Sequence, residues 1–321
     1  MTSRIGLFSF VLVVSLAPLA SAGINLGDYN LITIGNVSDR SDVQGRVLVG
    51  GTLLTNNFTF GGHLGGASVS PPAGIFNAID SGVTNLNTNG TNFLYGSGKS
   101  SINGVTATPS AVATFTNGLA SYLNSVSSAY AGLTTNSTIN TADMNQIAFN
   151  ATPTLINGQS VAVFSVDQSF FNGSGTVSQL NGVTAGTTVI VNVTGGTVGN
   201  DPLSFGSLNF SAFQNLSDQA NILFNFENAT QLNNITNLAG AILAPNAALN
   251  TGSSLVGSVF VQSITNVGEI DRPKSNGIEV NGFTGFVPSV AVPEPASIVS
   301  TLAGLVLVGG TAWRRRRLVA G

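Results

Sequence analysis

The chain offers few residues that could carry out nucleophilic, acid–base or metal chemistry. His63 is the single histidine of the 321 residues, and there is no cysteine. A zinc site needs several nitrogen or sulfur ligands, so this composition excludes a histidine-rich zinc site within a monomer. A Ser-His-Asp triad would have to use His63, and the Gly-x-Ser-x-Gly elbow of hydrolases is absent. We interpret His63 as part of the glycine-rich loop 61–66, which lacks the Lys-Ser/Thr of a phosphate-binding loop.

Carboxylates are the remaining candidates, and two close pairs stand out: Asp39 with Asp42, and Glu269 with Asp271. A glycosidase needs two acids at a suitable separation, and β-helices host such enzymes. Carboxylate and backbone oxygens also bind Ca²⁺, but neither pair has the spacing of an EF-hand loop. Because two arginines flank the first pair, a solvated or salt-linked loop is its simpler explanation. We assign no catalytic residue, metal ligand or cofactor.

The charge balance of the body, residues 23–292, also excludes a class of partner. Five basic residues stand against twelve acidic ones, a net charge of −7. No basic patch exists to neutralise phosphates, so we expect no nucleic-acid partner. With no cysteine, the fold of this body cannot depend on disulfides. Val, Ile, Leu and Phe recur throughout, which is enough apolar surface for a core, and the 39 glycines indicate many tight turns.

Several segments of the body share one strand pattern. In residues 45–49, 186–193, 240–244 and 257–261, a glycine precedes aliphatic residues at alternate positions. Alternation with period 2 predicts a β-strand with one buried face. Short strands at near-regular spacing indicate a solenoid or a sandwich. We favour a β-helix, because a single rung could not bury its face alone.

One segment breaks this pattern and predicts a single helix lateral to the strands. Its apolar residues are spaced by three or four: Val112, Phe115, Leu119, Tyr122, Val126 and Tyr130. Thr108 is the expected N-cap, with Pro109 at the first helical position. Gly118 inside the helix would cost about 1 kcal/mol relative to alanine, and Gly132 would end it. We expect its two tyrosines to pack in the core; a binding stripe is the alternative.

The first 22 residues have the pattern of a secretory signal peptide. An n-region with Arg4 precedes an apolar stretch at 5–19, and Ala20 and Ala22 form an A-x-A site. The apolar stretch is shorter than the roughly 20 residues of a membrane-spanning helix. Cleavage by signal peptidase would leave Gly23 as the mature N-terminus. An uncleaved N-terminal anchor is the alternative.

The C-terminal end predicts a membrane anchor. Residues 296–313 are apolar and end at Trp313; as a helix they would extend about 27 Å, close to the bilayer core. A tryptophan suits the interface, and a basic cluster stays in the cytoplasm. That cluster consists of Arg314, Arg315, Arg316 and Arg317. The C-terminus would therefore be cytoplasmic and the body would lie outside the inner membrane, in agreement with a signal peptide.

Just before this stretch stand Pro293, Glu294 and Pro295. This motif, followed by an apolar helix and a basic cluster, resembles the PEP-CTERM sorting tail. That tail is associated with processing by exosortase in Gram-negative bacteria that make extracellular polysaccharide. The resemblance implies processing near Pro293–Pro295; an ordinary tail anchor is the alternative.

The body resembles the choice-of-anchor A family. The resemblance lies in residues 29–35, 41–51, 222–226, 240–247 and 268–270. It implies an adhesive surface domain without assigned catalytic residues. Similarity of the Gly-Ala-Ile-Leu-Ala-Pro segment, the rung that follows it and the helix to ice-binding proteins implies a right-handed β-helix with one lateral α-helix. The predicted organisation is a signal peptide (1–22), the adhesive domain (23–287), and a linker with sorting segment (288–321) containing the transmembrane helix (296–313).

The sequence thus predicts an exported protein of the cell envelope, cell surface or extracellular matrix. We expect an adhesin without catalytic activity that binds polysaccharide or cell-surface partners. Ice binding is the first alternative, although Thr134-Thr135 and Thr187-Thr188 form no repeating Thr-x-Thr ladder. A polysaccharide hydrolase or lyase is the second, disfavoured by the lack of an evident acid–base cluster.

Overall fold

The computed structural model describes residues 24–66, 69–195 and 201–290. The predicted signal peptide (1–22, with Ala20 and Ala22) lies outside these ranges. So do Pro293–Pro295, the apolar segment 296–313 and Arg314–Arg317. Among the described residues, no helix has the length and apolar character needed to cross a membrane.

The protein is mainly β, with 43% of residues in strands and 13% in helices, which confirms the predicted class. The strands in chain order are β1 (Leu31–Thr33), β2 (Asp42–Val43), β3 (Val47–Leu53), β4 (Phe58–Phe60), β5 (Gly74–Ile79), β6 (Leu86–Asn87), β7 (Phe93–Gly98), β8 (Ser101–Ile102), β9 (Val105–Thr106), β10 (Thr138–Asn140), β11 (Ile147–Asn150), β12 (Thr154–Ile156), β13 (Gln159–Asp167), β14 (Ser174–Asn181), β15 (Thr188–Thr194), β16 (Asp201–Ser204), β17 (Ser207–Asn209), β18 (Ile222–Asn225), β19 (Ala229–Asn233), β20 (Ala241–Asn250), β21 (Leu255–Val256), β22 (Val259–Asn266), β23 (Glu269–Asp271), β24 (Lys274–Ser275) and β25 (Ile278–Glu279).

The helical segment differs from the single helix predicted. It forms two helices, α1 (Pro109–Thr116) and α2 (Leu119–Ala131), and a one-turn helix α3 (Ser211–Gln214) follows later. Gly118 has a left-handed conformation with φ 76° and is the N-cap of α2. The glycine therefore interrupts the predicted helix instead of being tolerated inside it. Pro109 is the first residue of α1 as expected, but the Thr108 side chain makes no capping hydrogen bond. Gly132 caps α2. Three 3₁₀ turns complete the helical residues: Leu26–Asp28, Gln168–Phe170 and Gln219–Asn221.

The largest sheet orders its strands β12-β13-β15-β18-β20-β22-β1-β3-β5-β7. Every neighbouring pair is parallel except β12 with β13. The chain therefore begins in the middle of the sheet, runs to one end at β7, and crosses back along α1 and α2. It then returns from the other end until β22 pairs with β1. α1 contacts β3, β5 and β7, and α2 contacts β15, β18 and β20, so the helices cover one side of this sheet.

A second parallel sheet, β21-β23-β2-β4-β6, follows the same order along the stack. Its residues Val43, Phe60 and Ile270 are fully buried in the same apolar cluster as Leu31 and Val47 of the large sheet. We call this cluster, enclosed by the two sheets, the inner core. It contains two separate groups of packed aromatic rings, one around Phe60 and Phe76 and one around Phe171 and Phe213, in which neighbouring ring centroids lie 5.0–6.4 Å apart.

Strands of the large sheet are buried on both faces. Leu31 and Val47 point into the inner core, while Ile32 and Leu48 pack in a separate cluster against the helices, the helix-side core. The prediction of one buried face per strand is therefore wrong for these segments. A parallel strand that is covered on both faces has a continuous apolar sequence. Residues 47–49 of β3 have such a sequence. The two tyrosines of α2 also lie in the helix-side core, so they form no binding stripe.

A buried polar network fixes α2 against the sheet. Ser127 Oγ donates to Asn225 Oδ1 at 2.6 Å, and Asn225 Nδ2 donates to the Ser127 carbonyl at 2.9 Å and to Asn192 Oδ1 at 3.0 Å. Asn192 Nδ2 in turn donates to the Tyr130 carbonyl at 2.7 Å. Each of these side-chain atoms has lost water, so each needs this partner. The network therefore sets which residues of α2 face β15 and β18.

The segment after the last strand folds back as a strap over the helix-side core. The Tyr130 hydroxyl donates to the Phe286 carbonyl at 2.6 Å, and the Phe286 N–H donates to Thr188 Oγ1 at 2.8 Å. Burial raises the pKa of Tyr130 well above its usual range, so the hydroxyl keeps its proton for this bond. Phe283 and Pro288 are also buried. The strap therefore packs on the fold as far as Pro288.

We predict that Ser127→Ala lowers the free energy of unfolding by about 1–3 kcal/mol, because it leaves the buried side-chain oxygen of Asn225, Oδ1, without its hydrogen-bond donor. The neighbouring Ser128 provides a matched control, since its hydroxyl bonds Glu227 at 2.6 Å on the exposed side of the helix. Ser128→Ala should cost less than about 0.5 kcal/mol. Urea denaturation measures both, and equal losses in the two variants would show that the network does not stabilise the helix contact.

Candidate functional site

The structure brings three of the four predicted carboxylates together on the outward side of the five-stranded sheet. Asp42 of β2 lies directly beside Glu269 of β23 in the parallel register, and Val43 lies beside Ile270. Because side chains alternate, Val43 and Ile270 point into the inner core while Asp42, Glu269 and Asp271 point outward. We call these three acids the carboxylate cluster. Asp42 is more than 220 residues from Glu269 and Asp271 in the sequence, and only the pairing of β2 with β23 brings it next to them.

Gln44 ties two of these acids together. Its Nε2 donates to Glu269 Oε1 at 2.8 Å and to Asp271 Oδ1, while its Oε1 accepts from the Arg272 N–H at 3.1 Å. Burial raises the pKa of Asp42 and of Asp271, and the Glu269 charge raises both further. The cluster is thus a set of mutually repelling carboxylates held in place by one amide.

His63 lies in an exposed turn next to this cluster, as predicted from the glycine-rich loop. Its Nδ1 lies 2.8 Å from Glu279 Oε2, and its carbonyl accepts from Arg272 Nη1 at 2.8 Å. Arg272 also lies 3.9 Å from Glu279 and donates to the Val280 carbonyl. These contacts join the 61–66 loop to the β24–β25 hairpin, which is a structural role for the single histidine.

Asp39 takes a different position from the other three acids. Its Oδ2 accepts from the Val267 N–H at 2.6 Å and its Oδ1 from the Arg40 N–H at 2.8 Å. The flanking arginines form no ion pair with Asp39 or Asp42 in the described chain, so the salt-linked explanation is wrong there. Arg46 is buried and donates to the Pro71 carbonyl. Within the described ranges, no group of three or more His, Cys, Asp or Glu residues is arranged to hold a metal ion.

A second outward surface carries mainly uncharged polar side chains. Strands such as β3, β5, β20 and β22 bend at register shifts, and their second halves form another wall of the inner core. Leu249, Ile264 and Leu53 on this wall point inward and are buried. We call its outward surface the polar face. Its side chains are uncharged and small or hydrogen-bonding: Pro202, Ser204, Gln231, Asn233, Ala248, Asn250, Ser263, Thr265, Asn266, Asn36, Ser38, Thr52, Ala78 and Ser97.

The register stacks these side chains in columns along the wall. Gln231 lies beside Ala248, and Ala248 beside Ser263; Asn233 lies beside Asn250, and Asn250 beside Asn266. Neighbouring parallel strands are about 4.8 Å apart, so the columns have that repeat. A surface with many stacked uncharged donors and acceptors is suited to contact an extended polyhydroxylated chain or another ordered polar surface.

Two residues interrupt this uncharged polar surface: Leu54 is apolar and Asp80 is acidic. Large apolar side chains exposed in the described chain are Leu54, Met144, Leu155 and Ile278, and none is aromatic. The exposed apolar side chains of the described surface are thus aliphatic or Met.

A signal for the polar face is present in the sequence. Polar-aliphatic-polar triplets recur at Asn36-Val37-Ser38, Gln231-Leu232-Asn233 and Ser263-Ile264-Thr265. Each triplet places an aliphatic residue in the inner core and two uncharged residues outside. The triplets form one common surface because of the order in which their strands stack. The triplet sequences alone do not predict that order.

We predict that Glu269→Gln stabilises the protein at neutral pH. A carboxyl whose pKa is raised on folding makes stability fall as pH rises from its ordinary value of 3.8 towards the raised value. Removing the Glu269 charge should lower the pKa values of Asp42 and Asp271 in the folded protein. The gain in unfolding free energy should therefore appear as pH rises above about 4. For such exposed groups we expect it to reach about 0.5 kcal/mol at pH 7.

The control for this prediction is Glu227→Gln, which removes the same charge at a site remote from the cluster. Thermal or urea unfolding between pH 4 and pH 7 gives the difference between each variant and the parent. If the two variants follow the same pH profile, the carboxylate cluster is not the source of the effect.

Comparison with known proteins gives two matches. The family model described as "Putative Ice-binding-like adhesive domain" matches residues 23–272. The model of the PEP-CTERM protein-sorting motif matches residues 291–317, which include Pro293–Pro295 and Arg314–Arg317. No curated protein and no solved structure matches the chain.

These matches confirm the predicted resemblance to adhesive surface proteins with a PEP-CTERM tail. The sorting motif implies processing by exosortase and, with the adhesive domain, indicates an exported surface protein. The family match covers most of the body, from the predicted mature N-terminus to β23. The chain therefore belongs to the ice-binding-like adhesive domain family and carries a PEP-CTERM sorting motif.

Proposed function

We propose that this protein is a non-catalytic adhesin of the cell surface or extracellular matrix, and that its polar face binds polysaccharide. The observation that carries this proposal is the polar face itself, an array of stacked uncharged hydrogen-bonding side chains. Polysaccharides present repeated hydroxyl groups that can both donate and accept hydrogen bonds. A repeated array of amides and hydroxyls is complementary to such a chain, and family membership in an adhesive domain supports the same role.

We further infer that the stack is a right-handed β-helix with the helices lateral to it. Successive chain segments pair in parallel in the same order in both main sheets, which supports coiling of the chain around the inner core. Connections between parallel strands of one sheet are right-handed in almost all proteins. α1 and α2 pack outside the coil on the large sheet.

The proposed lack of catalysis rests on the carboxylate cluster. A hydrolase needs an acid and a base whose oxygens are free to reach a substrate. Gln44 donates to both Glu269 and Asp271, which occupies oxygens that would have to do this work. The cluster also lies on the outward side of the five-stranded sheet, away from the polar face. A structural role at the surface accounts for its raised pKa values without any reaction.

Ice binding is a second candidate, favoured by the in-register columns of the polar face. Ordered water could match a surface with a repeat of about 4.8 Å. The columns combine Asn, Ser, Gln and Ala, however, and Leu54 and Asp80 interrupt them. Thermal hysteresis of the purified protein decides this candidate, because an ice-binding face produces it and a polysaccharide-binding face does not.

Sorting is proposed to use both ends of the chain. Signal peptidase would cleave after Ala22, and an exosortase-type enzyme would process the tail near Pro293–Pro295. The strap places buried Pro288 only a few residues before this motif. The body would thus be exported through the inner membrane, with the C-terminus in the cytoplasm until processing.

We predict that Ala248→Arg weakens retention of the protein on extracellular polysaccharide. Ala248 lies outward in the middle of the polar face, between Gln231 and Ser263, so a long cation there would disrupt the array. Asn87→Arg is the matched control, because Asn87 is exposed on the other sheet. Cosedimentation with purified matrix polysaccharide should fall about tenfold for the first variant and stay at the parent level for the second. Equal binding by both variants would exclude the polar face as the contact surface.

We predict that the protein recovered from the extracellular matrix begins at Gly23 and ends near Pro293–Pro295. Intact-mass spectrometry measures both ends at once. Replacing Pro293-Glu294-Pro295 by Ala-Ala-Ala should leave a membrane-bound species that retains Trp313 and the four arginines. If the unaltered matrix protein also retains them, the tail is a permanent anchor and not a processed sorting signal.

A further inference from the structure

A groove of about 390 Å³ crosses the polar face where the two halves of the chain meet. It lies along the segment that follows β1, between the second halves of β22 and β3. Its lining residues are Gly35, Asn36, Ser38, Leu54, Gln262, Ser263, Ile264 and Thr265. We call this depression the seam groove. Its volume is within the range of small-ligand sites in proteins.

The groove forms because the chain does not continue as a regular strand after Thr33. The Gly35 N–H donates to the Gln262 carbonyl at 2.6 Å, and the Gly51 N–H donates to the Gly35 carbonyl at 3.1 Å. A Cβ on Gly51 would lie 2.4 Å from the Gly35 carbonyl carbon, so the two backbones approach too closely for side chains. Only the bridge of Val37 to Ile264 and Leu53 then continues the wall. Because Gly35 and Gly51 have no side chains, a space remains at this corner. The flanking residues line this space but do not fill it.

Two polar side chains in the groove are left without a protein partner. Gln262 and Ser263 are half-buried, and neither side chain makes a hydrogen bond to another described residue. Ser38 Oγ donates to the Ile264 carbonyl at 3.1 Å, and Thr265 Oγ1 donates to the Leu249 carbonyl at 3.0 Å. Both hydroxyl oxygens therefore still have lone pairs to accept a hydrogen bond. With the Asn36 side chain included, the groove offers two amides and three hydroxyl groups that can bind hydroxyls of a ligand.

The lining carries no charged residue. Asp39 and Arg40 follow Ser38 along the chain, and their opposite charges cancel next to the groove. Leu54, 45% exposed, adds an apolar surface for the C–H groups of a ligand. The body as a whole has a net charge of −7, which repels polyanions. A carboxylated or sulfated glycan would lose water here without gaining a cation, which is costly.

We propose that the seam groove is the principal glycan-binding subsite of this protein and that it selects a neutral glycan, an uncharged chain of polyhydroxylated sugar units. This inference rests on the proposed adhesive function and adds the position of the contact and the chemistry of the ligand. The amide of Gln262 and the hydroxyl of Ser263 bind sugar hydroxyl groups, and Leu54 contacts the apolar side of a sugar ring. Neighbouring stacked positions of the polar face extend the contact along the glycan.

The test measures binding of the exported protein to dextran and mannan, both neutral, and to alginate, which is acidic, by affinity electrophoresis. Gln262→Ala/Ser263→Ala removes the two unpartnered groups and should weaken neutral-glycan binding about tenfold. Ser263→Phe, which fills the groove, should abolish it. The comparison variant Gln231→Ala/Asn233→Ala removes two amides of the polar face about 10 Å outside the groove and should weaken binding less, by about threefold. The control Asn87→Ala lies on the five-stranded sheet and should bind like the parent. Thermal unfolding of each variant verifies that it is folded.

The outcomes separate this inference from the proposed function. If the seam-groove variants bind like the parent while the Gln231/Asn233 variant loses binding, the polar face is the adhesive surface but the groove is not its subsite. If alginate binds as well as the neutral glycans, selection for an uncharged ligand is wrong. If the unaltered protein retains none of the three glycans or the matrix polysaccharide, both proposals fail.

Discussion

The parallel pairing of β1 with β22 is the contact on which the rest of the structure depends. It joins the N-terminal strands, which run outward from β1, to the C-terminal strands, which end at β22. The fully buried Asn30 supports this junction: its Nδ2 donates to the Gly257 carbonyl at 2.7 Å and its Oδ1 accepts from the Gly45 N–H at 3.1 Å. One side chain thus bonds the backbone on both sides of the junction.

Both candidate surfaces cross this junction. The carboxylate cluster combines Asp42 from the N-terminal half with Glu269 from the C-terminal half. The seam groove combines Ser38 and Leu54 with Gln262 and Ser263 in the same way. Closing a chain over more than 220 residues costs conformational entropy, which the two cores and the backbone pairing must offset. Neither surface can exist before that closure, so binding depends on the complete stack.

An exported domain without disulfides has to obtain its rigidity from packing and buried hydrogen bonds. The large sheet is covered on both faces, by the inner core and by the helix-side core. Apolar contact alone would allow α2 to slide along the sheet, because hydrophobic burial is non-directional. The Ser127–Asn225–Asn192 network and the Tyr130 bond to the strap are directional and remove this freedom. These bonds and the two cores hold the walls that carry the polar face in place.

The sequence alone determined the class of the protein, the approximate strands, the helical segment and the PEP-CTERM sorting motif, because these depend on local composition and spacing. The alternation in residues 45–49 and 257–261 predicts strands wherever their partners lie. Only the tertiary structure decided that both faces of these strands are buried, that Gly118 divides the helix, and that Asp42 meets Glu269. Those outcomes depend on strand order and register, and these follow from contacts between residues that are far apart in the chain. The polar face and the seam groove were also decided only by the tertiary structure, because side chains form a common surface only after the strands that carry them are stacked.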